Sequence, residues 1–205
     1  MKKLAIFDFD GVFVHTLDMC YAINSKVNPH LSFEEYKKMS YGNFFQSFQG
    51  DAPSVVFTPS PTFYEEYADQ LLNNFSVSKE LNKMFFRLKR EYTLCIVTSA
   101  LEEIIKPFLK KEGLLELFSD VLGKEVHKSK VVKLKHLLEK YAVASENALY
   151  VTDTLGDIRE AREAGIGSIG VTWGLHEYEV LIIGNPLSIS ESVKDLEQKI
   201  NFFLC

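Results

Sequence analysis

A chain of 205 residues is long enough to bury a substantial core, either as one large domain or as a domain carrying an insertion. Hydrophobic residues at 46% and charged residues at 25% are the balance of an ordinary soluble globular protein and exclude a disordered one, with 16 Phe and 9 Tyr enriching the aromatic share. The net charge of −5 disfavours a nonspecific nucleic-acid or anionic-membrane surface, so the expected partners are small, and a local basic pocket for a phosphate stays open.

The chain opens with Met1-Lys2-Lys3 and the apolar run Leu4–Phe7, which imitates the start of a signal peptide until Asp8 and Asp10 end it too early. No other run is long enough to span a bilayer. Leu4–Phe7 instead reads as a buried parallel strand, and the strand period aims Asp8 and Asp10 at one side before Gly11 turns the chain away. Ligands of open α/β sheets bind at the carboxyl ends of strands. Two acids at that point give one group that attacks and one that moves protons.

Residues 17–75 carry helical patterns over 17–26, 32–39 and 61–74 with no convincing strand between them. Pro53, Pro59 and Pro61 mark a loop, and Thr58-Pro59-Ser60-Pro61 ahead of Glu65-Glu66 predicts a helix start. The stretch Tyr41-Gly42-Asn43-Phe44-Phe45 is aromatic enough to cover something flat or apolar, or simply to form a local core.

Beyond residue 75 the pattern alternates. Strand-like runs at 94–98, 149–152 and Gly167–Val171 are separated by helical patterns over 78–89, 101–112, 129–141 and 156–164. Gly165 reads as a helix C-cap, and Pro107 as a kink or a helix start. The whole predicts an α/β fold: a Rossmann-like parallel sheet with helices on both faces and an inserted helical segment. Cys20, Cys95 and Cys205 are odd in number and scattered, which argues against a disulfide framework or a zinc site and suits a reducing cytoplasm.

Three later stretches carry polar groups at strand ends or helix starts. Thr98 and Ser99 close the second strand; His127-Lys128-Ser129-Lys130 opens a helix; Asp153 and Asp157 follow the strand ending at Thr152. Each has a plain structural reading as a cap, a solvated basic turn or a dipole partner.

In order, these stretches and Phe7-Asp8-Phe9-Asp10-Gly11-Val12 resemble the four motifs of the haloacid dehalogenase-like superfamily, and the helical insertion after the first motif resembles its phosphoglycolate-phosphatase-like subclass. The resemblance runs from Leu4 to about Gly174, where Trp173-Gly174 matches a stretch frequent in that subclass. It implies a core of residues 1–16 and 76–205 with a helical cap over 17–75. It implies a Mg2+-dependent phosphatase acting on a small phosphorylated metabolite, with Asp8 as nucleophile and Asp10 as general acid and base. Thr98, with Gly11, Ser99 and His15, would bind substrate, and Asp8, Asp10, Asp153 and Asp157 would form the metal side. Either Lys128 or Lys130 supplies the family's lysine; Ser129 as an N-cap favours Lys130. Thr152 stands where the family has glycine, and His15 where many relatives have Asp. A dehalogenase has no use for an acid at Asp10. A phosphoglucomutase-like phosphotransferase and a non-catalytic phospho-ligand module are the alternatives, and a monomer or weak homodimer is the expected assembly.

Overall fold

Leu4–Phe7 forms β1, buried along its whole length at the centre of a six-stranded sheet. The structure is a computed structural model that describes residues 2–39 and 57–205, so the aromatic stretch at 41–45 and Pro53 lie outside the described residues. Among the described residues, β1 is followed by the helices α1 (Leu17–Ser25), α2 (Phe33–Lys38) and α3 (Phe63–Asn74). A capping box starts α2, with the Ser32 hydroxyl accepting the Glu35 N–H and the Glu35 carboxylate accepting the Ser32 N–H. Helix α3 packs on α1.

The remaining chain alternates. It runs α4 (Lys79–Leu88), β2 (Thr93–Val97), α5 (Glu102–Lys111), β3 (Phe118–Leu122), α6 (Lys130–Tyr141), β4 (Ala148–Thr152), α7 (Leu155–Glu163), β5 (Gly167–Val171), α8 (Tyr178–Leu181), β6 (Ser188–Ser190) and α9 (Val193–Phe203). Helix α3 also packs on α5. The strand order is β3-β2-β1-β4-β5-β6 with every pairing parallel, a Rossmann-like α/β sheet whose order reverses between β1 and β4. A crevice opens at that reversal, outside the carboxyl ends of the strands.

Strand alternation divides the core into two layers. Ala5, Phe7, Leu94, Ile96, Leu149 and Val151 join one cluster. Leu4, Ile6, Cys95, Val97, Ala148 and Tyr150 join the other. Central parallel strands covered by helices on both faces need such unbroken apolar runs. Phe13 stacks on Phe85 at 4.6 Å between ring centroids, and Phe7 meets Phe85 edge-on at 5.2 Å. Contacts of this kind, worth about 0.5–1.5 kcal/mol each beyond burial, pin the loop leaving β1 against α4.

Several boundaries differ from the sequence reading. Helix α5 runs through Pro107 rather than starting there. Helix α3 starts at Phe63, two residues after Pro61, with no side-chain cap. β3, β6, α8 and α9 have no counterpart in that reading. Gly165 does end α7: its φ is +78, and the Ile166 N–H reaches back to the Ala161 carbonyl at 2.9 Å. Among the described residues, no helix is long and apolar enough to cross a membrane.

Candidate active site

β1 stops at Phe7, and Asp8 extends its ladder by donating its N–H to the Val151 carbonyl at 2.8 Å, which fixes this acid beside β4. Asp153 stands at the matching point, one residue past β4. The two strand ends thereby hold two carboxylates against each other at the reversal of the sheet. Gly11 and Gly174 wall in the second of them. A Cβ at Gly11, where φ is +74, would lie 1.7 Å from Asp153 Oδ2, and a Cβ at Gly174 would lie 2.4 Å from the same oxygen. Only glycine fits either place.

Lys130 is the first residue of α6, and its ammonium is buried between two carboxylates, 2.8 Å from Asp8 Oδ2 and 2.6 Å from Asp157 Oδ2. Lys128, two residues earlier, is exposed and lies outside this group. Ser129 occupies the N-cap position, yet its hydroxyl makes no cap; it bonds Glu160 Oε1 at 3.2 Å. Glu160, from α7, takes the Lys130 N–H at 2.9 Å and so supplies from outside the helix the acceptor that the N-cap residue does not.

Asp157 Oδ2 also accepts from the Thr152 hydroxyl at 2.8 Å and from the Tyr150 hydroxyl at 3.3 Å. Thr152, the residue in place of glycine, therefore gives the second acid an added donor. Burial alone would raise Asp157, but the Lys130 ammonium, with hydrogen bonds from Asp8, Lys130 and Thr152, holds it below the usual carboxylate range. Asp8 moves the other way, raised by burial that Lys130 only partly offsets. Burial likewise pushes Asp153 up to about 7, against the Leu175 N–H that bonds its Oδ2 at 2.7 Å. One ammonium among three buried acids leaves uncompensated negative charge.

That surplus decides which residues could hold a metal. Asp153 Oδ1 is buried and finds no hydrogen-bond partner among the described residues. Asp8 and Asp153 therefore offer hard oxygen donors and excess charge, a set that fits a small divalent cation. Of the four acids expected there, Asp157 is held by Lys130, and Asp10 accepts from Thr16 Oγ1 at 2.6 Å and Tyr67 OH at 2.7 Å through Oδ1. Among the described residues no group of three or more His, Cys, Asp or Glu side chains forms a ready metal cage. Backbone carbonyls and water would have to complete the shell.

Asp8, Asp10, Asp153, Asp157 and Lys130 open onto one cavity of about 200 Å³. Gly11, His15 and Ser99 also line it, with His15 exposed. Thr98 does not; it is fully buried, and its hydroxyl accepts the Ala100 N–H at 3.1 Å. From α3, Tyr67 reaches Asp10 across 57 positions of sequence, a contact that the helical pattern gave no means of finding. The Trp173 indole holds the Val12 carbonyl at 3.3 Å, which ties the loop carrying Gly174 to the loop after β1. His176 Nδ1 accepts the first N–H of α7, from Leu155, at 3.0 Å, and the His176 N–H bonds the Asp153 carbonyl at 3.2 Å.

Comparison with known proteins agrees with this architecture. A family model described as haloacid dehalogenase-like hydrolase matches residues 5–171. A phosphoglycolate phosphatase of Vibrio cholerae is 31% identical over 214 residues, covering 95% of each chain. One from Vibrio parahaemolyticus is 28% identical over 217 residues, covering 95% of this chain and 94% of its own. Among solved structures, a haloacid dehalogenase-like family protein from Streptococcus pneumoniae shares the fold with a TM-score of 0.77 at 20% identity, over 98% of both chains.

Proposed function

The chain belongs to the haloacid dehalogenase-like hydrolases, and from that premise we propose that it is a phosphatase that cleaves a small phosphorylated metabolite through an aspartyl-phosphate on Asp8. The observation that carries this reading is the Lys130 ammonium, fixed between Asp8 and Asp157 at the cavity that Asp10 and Asp153 share.

A phosphate monoester repels nucleophiles by its own charge, so the reaction needs a fixed nucleophile, nearby cations and an acid for the leaving group. An oxygen of Asp8 attacks phosphorus, and the ester P–O bond breaks as its electron pair leaves with the alcohol oxygen. Asp10 gives that oxygen a proton. Water then attacks the phosphorus, Asp10 takes the water's proton, and the bond to Asp8 breaks to release phosphate. Thr16 and Tyr67 both donate to Asp10 Oδ1, which leaves Oδ2 to carry the proton. Burial raises Asp10 and helps it to keep that proton until it is needed.

Lys130 offsets the charge gathered by Asp8 and the phosphoryl oxygens, and Asp157 holds Lys130 in place. Ser99 lines the cavity beside Ala100, and we assign this loop to the phosphoryl oxygens, with Thr98 shaping it from behind. Asp8, Asp153 and the backbone carbonyl of Asp10 would hold Mg2+, which when bound supplies positive charge to the phosphoryl oxygens. Residues 17–75 we read as a cap on a core of 1–16 and 76–205, with closure excluding bulk water. Free thiols at Cys20, Cys95 and Cys205 suit a cytoplasmic protein, monomeric or weakly dimeric.

Phosphate release from sugar phosphates, phosphoglycolate, nucleotides and an aryl phosphate, with and without Mg2+, tests the reading beside the Asp8→Asn variant. Metal-dependent release that the variant loses is the expected result. Full activity in Asp8→Asn would exclude the covalent route.

A further inference from the structure

The cavity lining is of two kinds: the acids with Lys130, and a wall of Leu17, Tyr36, Phe63, Tyr64, Tyr67 and Leu175, of which Tyr67 and Leu175 also bond the acids Asp10 and Asp153. The tyrosine hydroxyls in that wall are already engaged. Tyr67 donates to Asp10, Tyr64 meets the Lys124 ammonium, and Tyr36 accepts from the Asn24 amide at 3.3 Å. What the wall offers a ligand is therefore mainly ring and hydrocarbon, with the Tyr64 O–H, whose oxygen accepts from Lys124, as a donor. Phe63 stacks on Tyr67 at 5.7 Å and meets Tyr64 edge-on at 5.3 Å, so the rings form one prearranged cluster.

Charge is distributed just as unevenly. Lys130 is the one lysine or arginine among the described residues that line the cavity, and two carboxylates already hold it. Lys124 sits over the Tyr64 ring at 4.0 Å and does not line the cavity. Residues 40–56 lie outside the described residues, and their sequence contains no Lys, Arg or His, so that stretch adds no cation wherever it runs. A carboxylate on the leaving group would meet five acids, Asp8, Asp10, Asp153, Asp157 and Glu160, with no second lysine or arginine among the described lining residues to receive it and only the exposed His15 imidazole in their place.

We infer that the preferred substrate is the phosphate monoester of an uncharged alcohol with a flat or apolar body, and that a carboxylate-bearing ester such as phosphoglycolate is disfavoured. This rests on the phosphatase reading and departs from the substrate in its relatives' names. The phosphoryl group sits at Asp8 and Lys130, and the alcohol portion lies on the rings of α3 and α2.

Two measurements test it together. The first is kcat/KM for benzyl phosphate and for phosphoglycolate, with an activated aryl phosphate as the check on turnover itself. The second is equilibrium binding of the same two esters to the Asp8→Asn chain with Mg2+, which reads the wall without the reaction. Benzyl phosphate is expected to lead by about tenfold or more in both, the discrimination a desolvated polar mismatch produces. Leu17→Lys or Phe63→Arg, each placing a cation in the wall, is expected to narrow that ratio in favour of phosphoglycolate. Equal or tighter binding of phosphoglycolate by Asp8→Asn overturns the inference whatever the turnover. Absence of turnover with the binding preference intact removes the phosphatase reading and leaves the ligand class standing.

Discussion

Tyr67 and Asp10 lie 57 positions apart in sequence, and their side chains meet at 2.7 Å, the phenol donating to the same Oδ1 that Thr16 holds at 2.6 Å. A helix that lies outside the sheet thus fixes the orientation of an acid at its centre. The phenol is buried, and burial followed by the neighbouring Asp10 charge raises its pKa, so it stays a donor throughout the neutral range.

Tyr67→Phe removes one of the two donors while keeping the ring. A hydrogen bond to a charged group is worth about 1.5–3 kcal/mol, so kcat on alkyl phosphates is expected to fall about tenfold or more. On an aryl phosphate with a good leaving group, which needs less protonation, the loss is expected to be smaller. A leaving-group series measured on both proteins checks this; a uniform loss across the series would assign Tyr67 to packing alone.

Lys130→Ala would leave Asp8 and Asp157 buried without their cation. The expected cost is about 3–5 kcal/mol of stability, with phosphatase activity lost. Lys128→Ala, on an exposed residue outside the cavity, is expected to change neither by more than about twofold in activity or ~0.5 kcal/mol in stability. Urea melts and phosphate-release rates on the two variants separate the lysines directly.

How much of this was legible before the structure depends on the range of each interaction. β1, β2, β4 and β5 are apolar runs, and their signal is local. β3 interrupts its pattern with Ser119 and Asp120, and β6 is three residues of Ser-Ile-Ser, so neither carries enough apolar length to read as a strand. Asp8, Asp10, Asp153 and Asp157 fall at strand ends or helix starts that the periodicity locates. The sequence favoured Lys130 over Lys128 through a Ser129 cap that does not form; both lie at the same helix start, and the geometry shows that the Lys130 ammonium turns inward. Tyr67, Glu160, Gly174 and His176 act through contacts between distant segments. A buried tyrosine on a helix face looks like core until its hydroxyl is seen on Asp10.

Gly11→Ala tests the cradle around Asp153. The new methyl would overlap Asp153 Oδ2 at 1.7 Å in a backbone conformation with φ of +74 that disfavours a side chain. Displacing that carboxylate by about 1 Å is expected to reduce kcat about 100-fold and to weaken Mg2+ binding. Calorimetric titration of Mg2+ beside the rate measurement checks both.

Lys133 gives a stability signature in alkaline solution. Its side chain is fully buried, donating to the Thr98 carbonyl at 2.5 Å and the Gly123 carbonyl at 3.3 Å. Burial, then the neighbouring Lys130 charge, lowers it from 10.5 to about 8. Between those values the unfolded chain binds more protons than the folded one, so this group makes stability rise with pH across the window, by about 1.4 kcal/mol per unit at most. Below pH 8 both states are protonated and the full cost of the buried charge remains. Lys133→Met is expected to flatten that rise, read as the difference between urea midpoints of the two proteins from pH 8 to 10.5.

The most direct test of the central claim is to quench the enzyme with acid during turnover of an aryl phosphate in Mg2+ and map the phosphoryl group by mass spectrometry. The account predicts one phosphoryl group on the peptide carrying Asp8 and none in Asp8→Asn. Steady turnover with the label on another residue, or full phosphate release from Asp8→Asn, would contradict it.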